Sequence, residues 1–238
     1  MKSIVAFAGR KSSGKSTHAA LLAAQGYTEL SLAAELKRVA GLLFPRTMTE
    51  KRLHGSSSSK DLGFSVDERR IAFAEVGAAI VNIKHDPDIK AVLTPLFKGS
   101  PLTLDGYDMA EAFARVFAPG HAEKRLASPR TILQVLGTEW GRKLWDEVWL
   151  DSVRRTVRDK EGKWVIPDAR FANEVVYLKQ QLGAAVYWLD AERRLGPNTD
   201  PHASEPSRDA LIGLCDGEFD ANGAVEATRD EIARVVLA

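Results

Sequence analysis

Gly9, Gly14, Lys15 and Ser16 are the residues of this chain whose types and spacing speak most directly of chemistry. They belong to a run in which the apolar segment Ile4-Val5-Ala6-Phe7-Ala8 gives way to Gly9-Arg10-Lys11-Ser12-Ser13-Gly14-Lys15-Ser16-Thr17. That is the pattern G-x-x-x-x-G-K-S of a phosphate-binding loop, here between a strand-like run and the helix-forming His18 to Ala24. Glycine at 9 and 14 opens backbone conformations closed to residues with a β-carbon, so successive N–H groups can point at a polyphosphate. Lys15 would bridge the terminal phosphates and the Ser16 hydroxyl would hold Mg²⁺, while the helix turns its positive end to the anion. The motif asks for a nucleoside triphosphate without naming the group that receives its phosphate.

A second informative stretch is Lys163-Trp164-Val165-Ile166-Pro167-Asp168-Ala169-Arg170-Phe171-Ala172-Asn173-Glu174. A short apolar strand ends in an aspartate and passes into a helix. In a parallel α/β sheet the carboxyl ends of the strands converge on the ligand crevice. Asp168 therefore stands where a carboxylate would coordinate Mg²⁺ through water or polarise an acceptor oxygen, and Arg170 could neutralise a phosphate. The alternative, that Asp168 only caps the helix, is weakened by the phosphate-binding loop elsewhere in the chain. Arg193 and Arg194 follow the strand Ala184 to Leu189, where an arginine-bearing lid would begin; two exposed surface arginines suit the position as well. Lys37 and Arg38 could flank a second substrate or simply be solvated. Trp140, Trp145 and Trp149 suit core packing or a nucleobase platform.

The elements that must position these groups alternate. Strand-like runs at Ile4–Ala8, Gly26–Ser31, Lys163–Asp168, Ala184–Leu189 and Gly217–Asp220 are separated by helical ones, the last being Val225–Val236 after the turn Asn222-Gly223. This predicts an α/β fold with a P-loop kinase-like core, a parallel sheet of about five strands flanked by helices, plus a helical insertion. Residues 1–238 are expected to form one domain, with 44–128 as the insertion on the acceptor side. Within it His54 to Lys60 is predicted to be a loop and Val66 to Lys84 a helix. The apolar face of that helix would carry Ile71, Phe73, Val76, Ile80 and Ile83, with Arg69 and Arg70 near its start. Met109 to Phe117 is a further helical piece, Pro129 suits a first helical position, and Trp145 to Val157 reads as one amphipathic run.

Composition bounds the partners. The 238 residues carry a formal net charge of +1, which argues against nucleic acid as a partner. The only cysteine, Cys215, cannot form an internal disulfide, and no Cys/His cluster has metal-ligand spacing. With no leader pattern and no apolar run of membrane-spanning length, the expectation is a cytoplasmic protein without a membrane partner. A homodimer stays open.

Four blocks then occur in order: the phosphate loop, Pro129-Arg130 through Gln134 to Gly137-Thr138-Glu139, Asp168-Ala169-Arg170-Phe171 with Asn173-Glu174, and Asp200-Pro201-His202-Ala203-Ser204-Glu205. The set resembles the deoxynucleoside monophosphate kinases of tailed bacteriophages, over roughly residues 1–43 and 128–238. The resemblance implies transfer of the ATP γ-phosphate to a deoxynucleoside 5′-monophosphate, for DNA precursor supply in a host cytoplasm. It implies that Lys15, Ser16 and the amides of Gly9, Ser12, Ser13, Gly14 and Thr17 hold ATP and Mg²⁺, with Lys11 reaching the phosphates and Asn222 near the adenine. By the same likeness Arg130, Gly137 and Thr138, with Lys37, contact the acceptor nucleotide. Asp168, Arg170 and Glu174 line its phosphate and sugar, Trp149 packs by its base, and Arg69 is a further phosphate ligand. Other P-loop kinases of small anionic acceptors, such as phosphomevalonate or dephospho-coenzyme A, and a nucleotide-triggered switch ATPase, are the competing readings.

Overall fold

Regular structure begins with the apolar run, which forms β1 (Lys2–Ala8), and continues through α1 (Lys15–Ala23), β2 (Thr28–Glu29) and α2 (Ala34–Leu43). Next come α3 (Glu50–His54), α4 (Ser57–Asp61), α5 (Val66–His85), α6 (Pro87–Phe97), α7 (Gly106–Val116), α8 (Ala122–Arg125) and α9 (Pro129–Gln134). A π-helix (Val135–Arg142) extends α9, and α10 (Val148–Val157) leads back to β3 (Gly162–Ala169). The chain closes with α11 (Ala172–Leu182), β4 (Ala185–Asp190), α12 (Glu192–Leu195), α13 (Arg208–Leu211), β5 (Gly217–Asp220) and α14 (Val225–Val236). The structure, a computed structural model, describes residues 2–55, 57–158, 160–197 and 208–237, so the block from Asp200 to Glu205 lies outside the described residues. Two compact units divide the chain: Met1–Leu32 with Val153–Ala238, and Ala33–Ser152. The span 44–128 expected as an insertion falls inside the second.

The first unit is built on the sheet. Its order is β2-β3-β1-β4-β5 and every described pairing is parallel, giving the five-stranded α/β core expected from the sequence. A parallel sheet is covered on both faces, so its central strand must be apolar on both sides. Ile4, Val5, Ala6, Phe7 and Ala8 are accordingly all buried. Val5 and Phe7 pack with Ala19 and Leu22 of α1, Val165 of β3, Leu189 of β4, Phe219 of β5 and Ile232 of α14. α11 ends at Gly183, whose φ of 65° supplies the left-handed turn that stops the helix and returns the chain to β4.

The second unit is helical and has its own core. Trp140 lies at its centre, with its indole N–H donating to Met109 O at 3.0 Å and the rings of Phe97 and Phe113 edge-on at 5.8 and 5.7 Å. α5 starts at a capping box in which Ser65 and Glu68 satisfy each other's backbone N–H groups. Its buried face is Ala72, Glu75, Val76, Ala79 and Ile83, which corrects the expected apolar face: Phe73 is 50% exposed and an acid lies inside instead. The burial of Glu75 is offset by two hydrogen bonds, from Arg46 N at 2.6 Å and from the Thr47 hydroxyl at 2.6 Å. Two further corrections concern local structure. The serine-rich stretch read as a loop contains the short helix α4, fixed by the ion pair of its last residue, Asp61, with Arg130. Trp145 stands before α10 rather than in it, and packs so closely on Gly99 that a Cβ there would lie 2.5 Å from the indole. No helix among the described residues is long and apolar enough to cross a membrane.

Candidate functional site

Between β1 and α1 the backbone turns through three left-handed residues, Gly9 (φ 151°), Ser12 (φ 64°) and Gly14 (φ 95°). Glycine is required at position 9 for space as well, because a Cβ there would meet Ser13 Oγ at 2.7 Å and Leu189 O at 3.0 Å. Lys15 begins α1 and folds back over the loop, its ammonium donating to Gly9 O at 2.7 Å, Arg10 O at 2.5 Å and Ser13 Oγ at 3.3 Å. The side chain is therefore fixed by backbone and nearly buried, at 7% exposure. Ser16 and Thr17 are exposed on the first turn of α1, which carries no acidic residue to offset the positive end of the helix. Lys11 is half-buried in the same loop.

Asp168 reaches the same end of the sheet from the neighbouring strand. β3 runs parallel to β1, and Ala8 pairs with Ala169 after a register shift between Ala6 and Ala8. Pro167, which has no N–H for the ladder, falls in that shift. The Asp168 carboxylate accepts from the Ser31 hydroxyl at 2.6 Å and from Leu32 N at 2.9 Å, so the segment after β2 is tied to the end of β3. Glu174 stands at the same junction, at the start of α11. It is buried, and its carboxylate accepts from Arg170 N at 2.7 Å and Phe171 N at 3.0 Å, capping α11. Arg170 stands half-buried at this junction.

No family model matches the chain, and no curated protein matches it.

The phosphate loop is also bound to the segments after β4 and β5, through Arg10, which motif reading passed over, and through Arg194 and Asn222, which it singled out. Arg10 donates to Gly196 O at 2.6 Å, and the Arg194 guanidinium donates to Ser12 O at 3.0 Å and Ala221 O at 3.2 Å. Asn222 accepts from Arg194 N at 3.1 Å and donates its amide to Asp190 Oδ2 at 3.0 Å and Asp220 Oδ1 at 2.8 Å. Asp220 is held below the usual carboxylate range, chiefly by the backbone N–H and side-chain amide of Asn222, with Arg193 adding to the effect. The phosphate loop, the start of α12 and the turn at Asn222 thus form one hydrogen-bonded assembly in the sheet unit.

The remaining expected residues lie in the helical unit. Lys37 is half-buried on α2 and Arg69 is exposed on α5. Arg130 is the second residue of α9, after the Ser128 cap and Pro129, and pairs with Asp61. Gly137 and Thr138 are in the π-helix, where a Cβ on Gly137 would meet Leu36 Cδ2 at 2.9 Å. Trp149 donates its indole N–H to Gly137 O at 3.0 Å and fills the space beside Gly141, where a Cβ would lie 2.5 Å from the indole. Its 6% exposure leaves almost no surface for a base. No group of three or more His, Cys, Asp or Glu that could hold a metal occurs among the described residues.

Proposed function

We propose that this protein is an ATP-dependent phosphotransferase, and that its acceptor is a deoxynucleoside 5′-monophosphate, converted to the diphosphate. The observation that carries the first half is the phosphate loop. Its left-handed glycines and the Lys15 ammonium lie at the start of a helix without acidic residues, after the strand β1 whose neighbour β3 carries Asp168 beside its last residue. Such a cradle suits a polyphosphate: backbone N–H groups at the start of α1 would meet the anion, and the Lys15 ammonium would exchange its bonds to Gly9 O, Arg10 O and Ser13 Oγ for phosphate oxygens. The second half rests on the four sequence blocks, in which Arg130, Gly137, Thr138 and Arg170 stand for the acceptor's ligands.

Phosphoryl transfer asks the protein for positioning and charge neutralisation rather than covalent chemistry. Lys15 would neutralise charge on the terminal phosphates while the loop amides hold them. Ser16, exposed on the first turn of α1, and Asp168 would hold Mg²⁺. A donor set with one carboxylate fits an ion that takes most of its ligands from phosphate and water. The ion's contribution when bound is further neutralisation of phosphate charge. Arg130 would fix the acceptor's phosphate, and Arg170 would add positive charge near it.

A coupled ADP-release assay over dAMP, dCMP, dGMP, dTMP, phosphomevalonate and dephospho-coenzyme A tests the acceptor. Acceleration by at least one deoxynucleoside monophosphate is expected. Activity on a non-nucleotide alone would replace this reading with another kinase, and ATP turnover that no acceptor accelerates would replace it with a switch ATPase.

A further inference from the structure

Arg130 is held in an unusual way for a residue assigned to an anion. Its only ion pair among the described residues is made through Nε to Asp61 Oδ1, on the side of the guanidinium. Neither Nη group has a hydrogen-bond partner among the described residues, so the two-pronged edge that matches a phosphate stays open. The pair is partly sheltered, with side-chain exposures of 19% for Arg130 and 38% for Asp61. Asp61 is itself placed by fold, as the last residue of the short helix α4, 69 positions away in sequence from Arg130.

We infer that Asp61 is a positioning residue for the acceptor phosphate: it anchors Nε of Arg130 so that the two Nη groups face the incoming phosphomonoester. This rests on the reading of Arg130 as an acceptor ligand. An unanchored arginine must lose side-chain freedom when it binds, and that entropy opposes affinity. A carboxylate on the Nε side removes the cost beforehand. Its own negative charge works against a dianionic phosphate, so the acceptor atom and the charge have opposite effects and can be separated by substitution.

The test compares Asp61→Ala, Asp61→Asn and Arg130→Ala, reading KM for each of dAMP, dCMP, dGMP and dTMP, KM for ATP, and calorimetric binding of the same monophosphates. Asp61→Ala loses both the anchor and the charge and should raise the monophosphate KM about two- to five-fold, the range of a partly exposed ion pair. Asp61→Asn keeps an oxygen for Nε without the charge, and should match or improve on the wild type. KM for ATP should not change in either. An Asp61→Ala protein that binds the monophosphate as well as or better than the wild type would make Asp61 a competitor or a bystander and overturn the inference, as would equal losses in Asp61→Ala and Asp61→Asn. Arg130→Ala separates the two levels. If it weakens the monophosphate while Asp61→Ala does not, only the positioning role falls; if it leaves the monophosphate untouched, or if the wild type binds none, the acceptor reading fails and the inference with it.

Discussion

The ammonium of Lys15 donates to the carbonyl of Gly9 at 2.7 Å, which closes the phosphate loop on itself. Arg10 O and Ser13 Oγ also accept from it, so the cation is held by the same loop whose N–H groups would hold the phosphates. Holding the charge beside the loop shortens the move it must make when a phosphate replaces those acceptors, and a short move keeps electrostatic stabilisation of a transition state effective.

Lys15→Ala should therefore lower kcat for phosphoryl transfer by a factor of several hundred, corresponding to about 3 to 4 kcal/mol of lost transition-state stabilisation. The helical signal in circular dichroism should be unchanged, since the alanine can continue α1. Steady-state kinetics beside a far-ultraviolet spectrum checks both parts.

The bond from Ser31 to Asp168 permits a separation of brace from chemistry. Ser31→Ala removes one hydrogen bond and should reduce stability in urea by about 0.5–1.5 kcal/mol with only a small loss of kcat. Asp168→Asn keeps one acceptor oxygen but sets an amide against the donors Ser31 Oγ and Leu32 N, so its stability loss should be of similar size. Its kcat should fall on the order of a hundredfold or more if the carboxylate acts on metal or acceptor. Similar, few-fold effects on kcat in both variants would leave Asp168 as a brace alone.

What could be read from the chain was whatever local sequence decides. The phosphate loop depends on glycines at fixed offsets, and β5 and α14 fall at Gly217–Asp220 and Val225–Val236 as patterning predicts. Phe73 and Glu75 exchange their expected places because the burial of an acid depends on Arg46 N and Thr47, 29 and 28 positions away. No periodicity encodes that. The π-helix is invisible for the same reason: Gly137 and Gly141 weaken a helix without announcing a widened one, and that geometry goes with the approach of Trp149 to Gly137 O and Gly141. Asp61 directly follows the serine-rich stretch whose low helical propensity suggests a loop, and its pairing appears only beside Arg130.

Trp149→Phe tests that support. It should remove the indole donor from the buried Gly137 carbonyl, at a cost of about 0.5–1.5 kcal/mol in urea unfolding. If the π-helix orients Thr138 toward the acceptor, KM for the monophosphate should rise while KM for ATP holds. A change in stability with both KM values constant would confine Trp149 to the core.

His18, buried on α1 with Nδ1 unpartnered, gives a dependence on acid. Burial lowers its pKa below the ordinary value of about 6.5, so between those two values the unfolded chain binds more protons than the folded one. Stability contributed by neutral His18 is therefore complete above about pH 6.5 and declines as the pH falls toward the lowered folded value. Melting temperatures measured from about pH 7.5 down to about pH 5.5 should drop more steeply in the wild type than in His18→Leu, which has nothing to protonate there.

The central claim, that a phosphoryl group passes between two nucleotides, is tested most directly by following the γ-phosphate itself. ATP labelled in that position, Mg²⁺ and a mixture of dAMP, dCMP, dGMP and dTMP are incubated with the protein and the products separated by chromatography. The expected result is label on a deoxynucleoside diphosphate, with ADP formed in equal amount. Label recovered only as inorganic phosphate, at a rate the monophosphates do not alter, would contradict the account.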